Sequence, residues 1–267
     1  KNDRNKVTLA NYVEIDKSQA FSKLFSYLPT GEKSIEVERR AVIKKQHSID
    51  VRSKISNNNH QWKKLMAIGK AKECLYKDVQ DQLRLVKNAT DFQYLRFHGL
   101  FDDEMMVYGE NERGEPEINL LYTDKLFDFL QSMDVKPFVE LGFMPGELAE
   151  NPDETVFYKK SIISKPKDID IWNLLVRNFI IHYENKFGVD ELQHWYFEFW
   201  NEPDFYVFWR GSFEEYCLLY KNTYQTIKGL NPSYKVGGPS IVSINNSDWL
   251  QEFLDFCIGE NCLPDFI

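Results

Sequence analysis

From Trp62 onward, short apolar segments alternate with longer amphipathic ones, and this alternation limits the fold more than any other feature of the chain. The short segments are typical of buried strands. The longer ones carry apolar residues at helical spacing, as the run of Leu75, Val79, Leu83 and Val86 illustrates. Strands that alternate with helices of this length indicate βα units on a parallel sheet.

The same pattern gives approximate bounds for each element. The predicted strands are 65–69, 92–99, 136–143, 194–201 and 235–241. The predicted helices are 71–88, 123–133, 169–187, 212–229 and 249–258. Thr123 is the expected N-cap of the second helix and Gly188 the expected C-cap of the third. Residues 265–267 would begin a sixth strand, so we count five βα units and expect a fragment of a larger fold.

The first 60 residues have a different pattern of apolar and polar side chains. Residues 7–15 and 34–43 have the β-branched content of strands, and residues 48–55 alternate apolar and polar side chains. We therefore expect a small β-rich lead-in or part of a flanking β-sandwich at 1–60, followed by the βα units at 61–267.

Composition excludes several classes of function. The chain has 33 Lys and Arg against 41 Asp and Glu, a net charge of −8, which argues against a nucleic-acid surface in this region. Its four cysteines have no zinc-like spacing and are expected to be core thiols of a reducing compartment. No apolar run approaches the ~20 residues that span a bilayer, and no signal peptide is visible. We expect a cytoplasmic protein without a membrane segment.

The predicted strand 194–201 is rich in aromatic residues and stops at the turn Asn201-Glu202-Pro203. Because Pro203 can neither donate to a ladder nor extend it, the strand ends there and presents the carboxylate of Glu202 at its carboxyl end. In a barrel of parallel strands that end is the catalytic face, so Glu202 is a candidate general acid for glycosidic cleavage. The alternative is an ordinary aromatic strand ended by a proline turn.

Four segments, in this order, resemble glycoside hydrolase family 39 of clan A, which contains β-xylosidases and α-L-iduronidases. They are Tyr94 to Asp103, Lys136 to Pro145, the Asn-Glu-Pro strand, and Val236-Gly237-Gly238-Pro239. The resemblance implies a (β/α)8 TIM barrel, incomplete in this chain, and a reaction that retains anomeric configuration with two glutamates. It also implies that Glu202 is the acid/base, that Asn201 binds the sugar 2-hydroxyl, and that His98 binds the sugar in the −1 subsite.

Strand alternation places Arg96, Glu140 and Glu198 on the same side as the candidate site. If that side faces the barrel interior, these residues form a buried charged layer, either as substrate ligands or as charges that neutralise one another, which we favour. Asp102 either faces the substrate or caps the loop that follows it. Trp209 either forms an aromatic platform for a sugar or packs within its own loop.

The resemblance leaves the second glutamate unassigned, because the nucleophile strand of the family would lie beyond Ile267; by itself the chain should be inactive. The chain also resembles the sugar-hydrolase-like region that follows the helix-turn-helix of AraC-type regulators. This resemblance implies the alternative function, a non-catalytic carbohydrate-sensing domain with a DNA-binding domain elsewhere in the protein. We expect a carbohydrate, xyloside-like ligand, no cofactor and no metal. A second copy could cover the open sheet edges, which would give a homo-oligomer.

Overall fold

The structure is a computed structural model. It describes residues 60–158, 161–243 and 245–267, together with the residue pairs 6–7 and 49–50. The chain divides into two compact units, Lys1–Asn59 and His60–Ile267.

In the first unit the described residues form two short strands, β1 (Lys6–Val7) and β2 (Ile49–Asp50), which pair antiparallel. The remainder of the strands predicted at 7–15, 34–43 and 48–55 lies outside the described residues.

The second unit contains a five-stranded sheet. Its strands are β3 (Leu65–Lys70), β4 (Tyr94–His98), β7 (Lys136–Leu141), β10 (Tyr196–Phe199) and β11 (Lys235–Gly237). Each strand pairs in parallel with the next one in this order. The prediction of consecutive parallel strands is therefore confirmed, and the sheet is consistent with part of a TIM-type barrel.

Four strands end one to four residues earlier than predicted, at His98, Leu141, Phe199 and Gly237. β10 stops at Phe199 because Trp200 has a φ of 63°, a left-handed conformation that cannot extend a ladder. β11 stops at Gly237, since Gly238 follows with a φ of 110°. Both strands therefore turn away from the sheet at their carboxyl ends, where the candidate site lies.

Two small hairpins lie in the connections that leave the carboxyl ends of the sheet. β5 (Tyr108–Glu110) pairs with β6 (Pro116–Ile118) after β4, and β8 (Thr155–Val156) pairs with β9 (Ser161–Ile162) after β7.

Helices follow the strands as predicted. They are α1 (Lys77–Thr90), α2 (Leu121–Gln131), α3 (Ile169–Phe187), the single turn α4 (Val189–Leu192), α5 (Phe213–Leu230) and α6 (Ser247–Gly259). Ser212 caps α5: its hydroxyl accepts from Glu215 N, and the carboxylate of Glu215 accepts from Ser212 N in return. Gly188 follows α3 with a φ of 89°, in agreement with the predicted cap.

Two predicted helix starts are wrong. The first helix does not begin at Ala71, because 71–75 form a 3₁₀ helix and Tyr76 is extended before α1. Thr123 is not the N-cap of α2, since the helix begins two residues earlier and Thr123 is fully buried. Its hydroxyl donates to the Leu120 carbonyl and accepts from the Tyr183 hydroxyl, so tertiary contacts fix this residue.

The sheet has two different sides. On the side that faces the helices, Leu95, Val139, Phe197 and Val236 are fully buried. They pack with an aromatic group in which Phe127 meets Tyr183 and Trp195 at centroid distances of 4.7 and 5.0 Å.

On the opposite side Tyr196 lies 5.2 Å from Tyr94 and 5.3 Å from Phe138, ring centroid to ring centroid. These three rings form an aromatic floor, and the next residues toward the carboxyl ends are charged.

The chain end runs beside β11 without forming the predicted sixth strand. Asp265 N donates to the carbonyl of Val236 at 2.8 Å, and Gly238 N donates to that of Phe266 at 3.2 Å. The Phe266 ring lies 5.0 Å from Tyr196, so this segment covers part of the aromatic floor.

The four cysteines, Cys74, Cys217, Cys257 and Cys262, are free and buried, as expected for core thiols. Within the described ranges, no helix combines the length and the apolarity needed to cross a membrane.

Candidate functional site

Arg96 occupies the centre of the candidate site. It lies on β4 between β3 and β7, and its side chain is on the same side of the sheet as the aromatic floor. Its Nε donates to Oε2 of Glu198 at 2.6 Å, and its Nη2 lies 2.9 Å from Oε2 of Glu140. These are the contacts that strand alternation predicts. Arg96, Glu140 and Glu198 are called the charged layer below.

Burial sets the protonation of this layer. Glu140 is fully buried and Glu198 is 6% exposed. Burial, with the charge of Glu140, raises the pKa of Glu198 to about 7, although the guanidinium of Arg96 acts in the opposite direction. Burial lowers the pKa of Arg96, but the charges of Glu140 and Glu198 outweigh burial and leave that pKa raised. Arg96 is therefore a permanent cation, while Glu198 can hold a proton near neutral pH.

His98 lies at the carboxyl end of β4 and reaches the same carboxylate oxygen. Its Nδ1 is 2.6 Å from Oε2 of Glu140. Because a carboxylate can only accept, Nδ1 carries the proton of this bond, and Nε2 remains for a ligand. The ring is partly exposed and lies between Phe143 and Phe157, with centroid distances of 6.3 and 6.2 Å.

Asn201 connects the charged layer to the turn after β10. Its Oδ1 accepts from Nη2 of Arg96 at 3.0 Å, and the residue is 4% exposed. Since the oxygen is used in this bond, the amide N–H groups are the part of Asn201 that can donate to a ligand.

Glu202 is held by an unusual backbone turn. Trp200 and Glu202 both have left-handed φ angles, 63° and 44°, which cost about 1–3 kcal/mol each in residues other than glycine. The turn is fixed on both sides: Trp200 is fully buried and its Nε1 donates to the Phe208 carbonyl, while Glu202 N donates to the Ser240 carbonyl at 2.8 Å. Surrounding contacts therefore impose the position of Glu202.

The carboxyl group of Glu202 is partly exposed, and its pKa is raised. Burial is the main cause and the charge of Asp204 adds to it, whereas His98 and Arg96 act in the opposite direction. A carboxyl group with a raised pKa keeps its proton closer to neutral pH, as a general acid requires.

Asp204 was not singled out in the sequence, although it follows Glu202 by two residues. Its two oxygens accept from Val242 N at 2.9 Å and from Asn246 Nδ2 at 2.8 Å, so it ties the turn to the segment after β11.

Two other predicted site residues are buried in packing. Asp102 is 4% exposed; its Oδ2 accepts from Ser161 Oγ at 2.7 Å and lies 2.6 Å from Lys70 Nζ. Trp209 is also 4% exposed, packs edge-on against Trp200, and donates from Nε1 to the carbonyl of Ser212.

The structure thus brings together Arg96, His98, Glu140, Glu198, Asn201 and Glu202, whereas Asp102 and Trp209 are buried in other contacts. Lys70, the last residue of β3, has a buried side chain and was not among the residues predicted for the site. A lysine at the end of a predicted strand is normally exposed to solvent, so the sequence pattern did not indicate that Lys70 is buried.

In the part of the chain that the structure describes, no group of three or more His, Cys, Asp and Glu side chains is arranged to hold a metal ion. The site consists of carboxylates, a guanidinium, an imidazole and an amide, which suit proton transfer and hydroxyl recognition.

Comparisons with known proteins place the chain in a family. Residues 46–267 match the family model for glycosyl hydrolases family 39. A β-xylosidase from Geobacillus stearothermophilus is 37% identical over 210 residues, 77% of this chain and 41% of that protein. A second β-xylosidase, from Caldicellulosiruptor saccharolyticus, is 34% identical over 232 residues, 86% of this chain and 46% of that protein.

Solved structures show the same relationship. The crystal structure of a monomeric β-xylosidase from Caulobacter crescentus CB15 matches with a TM-score of 0.72 and 32% identity. The match covers 76% of this chain and 40% of that one, so the chain spans less than half the length of these relatives. The family match and the parallel sheet together identify a TIM-barrel-like α/β fold. The chain belongs to glycosyl hydrolases family 39.

Proposed function

We propose that the protein is a retaining glycoside hydrolase that acts on β-xylosides, with Glu202 as its general acid/base. The observation that carries this proposal is the position of Glu202: partly exposed at the carboxyl end of β10, with a raised pKa, beside Arg96 and His98. The relatives named above are β-xylosidases, which supports this substrate class. They give no support to the alternative of a sugar-sensing domain of a regulator.

In the first step, protonated Glu202 donates its proton to the glycosidic oxygen as the bond to the anomeric carbon breaks, and a carboxylate nucleophile takes the leaving group's place on that carbon. In the second step, ionised Glu202 takes a proton from water, which attacks the anomeric carbon and releases the nucleophile. The raised pKa favours the acid role, and the loss of negative charge on the nucleophile in the intermediate favours ionisation of Glu202 before water attacks.

The other carboxylates around Glu202 are poor candidates for the nucleophile. Glu140 is fully buried, Glu198 is bound by Arg96, and both oxygens of Asp204 accept hydrogen bonds. We therefore place the nucleophile in a part of the barrel outside this sequence.

The residues that bind the sugar are those that still have a hydrogen-bond donor to offer. Nε2 of His98 and the amide N–H groups of Asn201 can meet hydroxyl groups of the glycone, because their other polar atoms are fixed by Glu140 and Arg96. The charged layer then acts by positioning these two side chains, without contact with the sugar.

The test is the Glu202→Gln variant of the gene product that carries this sequence. Hydrolysis of alkyl β-xylosides, whose leaving groups need protonation, should fall by about 10²–10⁴-fold. The first step on aryl β-xylosides with good leaving groups should fall much less, and added azide should restore turnover by replacing the water that Glu202 activates. Glu252→Gln, on the exposed face of α6, is the matched control. Equal losses on alkyl and aryl substrates would exclude Glu202 as the general acid.

A further inference from the structure

A row of aromatic rings leads away from His98 on the catalytic side of the molecule. Phe157 lies 6.2 Å from His98, Phe208 lies 5.6 Å from Phe157, Phe205 lies 6.3 Å from Phe208, and Tyr206 lies 5.2 Å from Phe205, all between ring centroids. These four residues are called the aromatic row.

Much of this row is open to solvent. Tyr206 is 66% exposed and Phe157 is 43% exposed, while Phe205 and Phe208 are partly buried. Single exposed aromatic residues are common on protein surfaces, but a contiguous row that begins at a candidate ligand of the sugar is a typical binding feature.

The row is held rigidly at the turn that carries Glu202. Phe205 N donates to the Glu202 carbonyl at 3.0 Å, Phe208 N donates to the Phe205 carbonyl at 2.8 Å, and the Phe208 carbonyl accepts from Trp200. The Arg210 guanidinium lies 5.4 Å from the centre of the Tyr206 ring and supports that ring by a cation–π contact. The rings are therefore preorganised, and little conformational entropy is lost when a ligand packs on them.

The position of the row determines which part of a substrate it meets. A general acid must lie beside the oxygen that it protonates, so the leaving group lies on the Glu202 side of the bond that breaks. Phe205 and Tyr206 follow Glu202 within one turn of chain, whereas His98 lies on β4, which β7 separates from β10. The exposed end of the row therefore lies on the leaving-group side.

Resting on the function proposed above, we propose that Phe205, Tyr206 and Phe208 form a subsite for the leaving group, and that its occupant is the second pyranose of a β-linked xylose oligosaccharide. A pyranose ring has an apolar face of C–H groups that packs on an aromatic ring, and hydroxyl groups at its edge that Arg210 can donate to. Trp209, for which the sequence left open a sugar platform or packing within its own loop, is buried and packs against Trp200.

The experiment measures binding in the Glu202→Gln background, so that substrate is not consumed. Isothermal titration calorimetry measures the affinities for a xylose disaccharide, methyl β-xyloside and an aryl β-xyloside. Three proteins are compared: the one in which Tyr206 is unchanged, the variant Tyr206→Ala and the control variant Tyr76→Ala. Tyr76 is 45% exposed and lines a different surface depression together with Lys72, Gln80 and Tyr122.

We expect Tyr206→Ala to lower the ratio of disaccharide affinity to methyl xyloside affinity by about three- to tenfold, the range of an aromatic contact. Tyr76→Ala should leave the ratio unchanged. An unchanged ratio in Tyr206→Ala would overturn the subsite, and a loss confined to the aryl xyloside would overturn its assignment to a pyranose. Failure of all three ligands to bind to the protein with Tyr206 intact would instead overturn the proposed function.

Discussion

At the level of single residues, the charged layer contains one guanidinium and two buried carboxylates, so it has an excess of negative charge when all three groups are ionised. Arg96 contacts both carboxylates and also Asn201, and His98 contacts Glu140. Removing the central cation leaves two carboxylates close together in a buried position. Such a loss costs more than the net contribution of the ion pairs themselves.

Arg96→Met should therefore lower the free energy of unfolding by about 3–5 kcal/mol, the range for breaking a buried charge pair. Denaturant unfolding followed by tryptophan fluorescence measures this change. The control is Arg113→Met in the turn between β5 and β6, where the side chain is exposed and a change within about 0.5 kcal/mol is expected. Equal unfolding midpoints for the two variants would show that the charged layer does not stabilise the fold.

Glu198 makes stability depend on pH. Its pKa of about 7 in the folded chain lies above the ordinary value of 4.5, so between these values the folded state holds a proton that the unfolded state has released. The contribution of Glu198 to stability is therefore complete below about pH 4.5 and is lost as the pH rises through 7.

Glu198→Gln removes this titration. The melting temperature of the unchanged chain should fall more steeply between pH 4.5 and 7 than that of the variant, and thermal scans at half-unit intervals of pH measure the difference. Glu252→Gln is the control, since Glu252 is exposed on α6. Parallel curves for the unchanged chain and Glu198→Gln would show that Glu198 does not carry a raised pKa.

At the level of elements, a second buried ion pair, that of Lys70 with Asp102, joins three segments near the carboxyl ends of the strands. Lys70 ends β3, Asp102 lies in the connection after β4, and Ser161 begins β9. Burial raises the pKa of Asp102 even though Lys70 and Ser161 stabilise its charge. Asp102 is therefore a structural anchor for the hairpin of β8 and β9, beside which Phe157 of the aromatic row lies.

Lys70→Met should lower the free energy of unfolding by about 3–5 kcal/mol, because it leaves the carboxylate of Asp102 buried without its cation. Amide hydrogen exchange in β8 and β9 should also accelerate, since the hairpin loses its anchor. Lys167→Met is the control: its pair with Glu110 is 47% exposed on the lysine side and should contribute about 0–1 kcal/mol. A Lys70 variant as stable as the Lys167 variant would contradict this assignment.

Helices and strands were easier to predict from the sequence than the positions of loop residues. The order of the parallel strands and the bounds of α3 follow from hydrophobic periodicity, which local sequence determines. Strand alternation likewise predicted the contacts of Arg96. For Asp102 and Trp209 the sequence left two alternatives open, because loop residues have no period that assigns them to a side. Thr123 failed as a cap for a related reason: its partner Tyr183 is 60 residues away.

At the level of the whole molecule, the candidate site offers one accessible carboxylate, that of Glu202, whereas the retaining mechanism proposed above requires two. The chain spans less than half the length of its β-xylosidase relatives. Further βα units would complete the barrel, and a carboxylate on one of them would supply the nucleophile. The two carboxyl groups should then lie about 5–5.5 Å apart, since one must reach the anomeric carbon while the other reaches the leaving oxygen. Residues 1–267 alone should show no turnover, even on aryl β-xylosides with good leaving groups.

A mechanism-based inactivator locates the nucleophile directly. A 2-fluoro β-xyloside with a good leaving group forms an ester that hydrolyses slowly, and peptide mapping by mass spectrometry identifies the carboxylate that carries the sugar. We expect the label in the gene product to lie outside residues 1–267 and to form also in Glu202→Gln, because a good leaving group needs little protonation. A label on Glu140, Glu198 or Glu202 would show that one of these carboxylates is the nucleophile and that the roles proposed here for the charged layer and for Glu202 are exchanged.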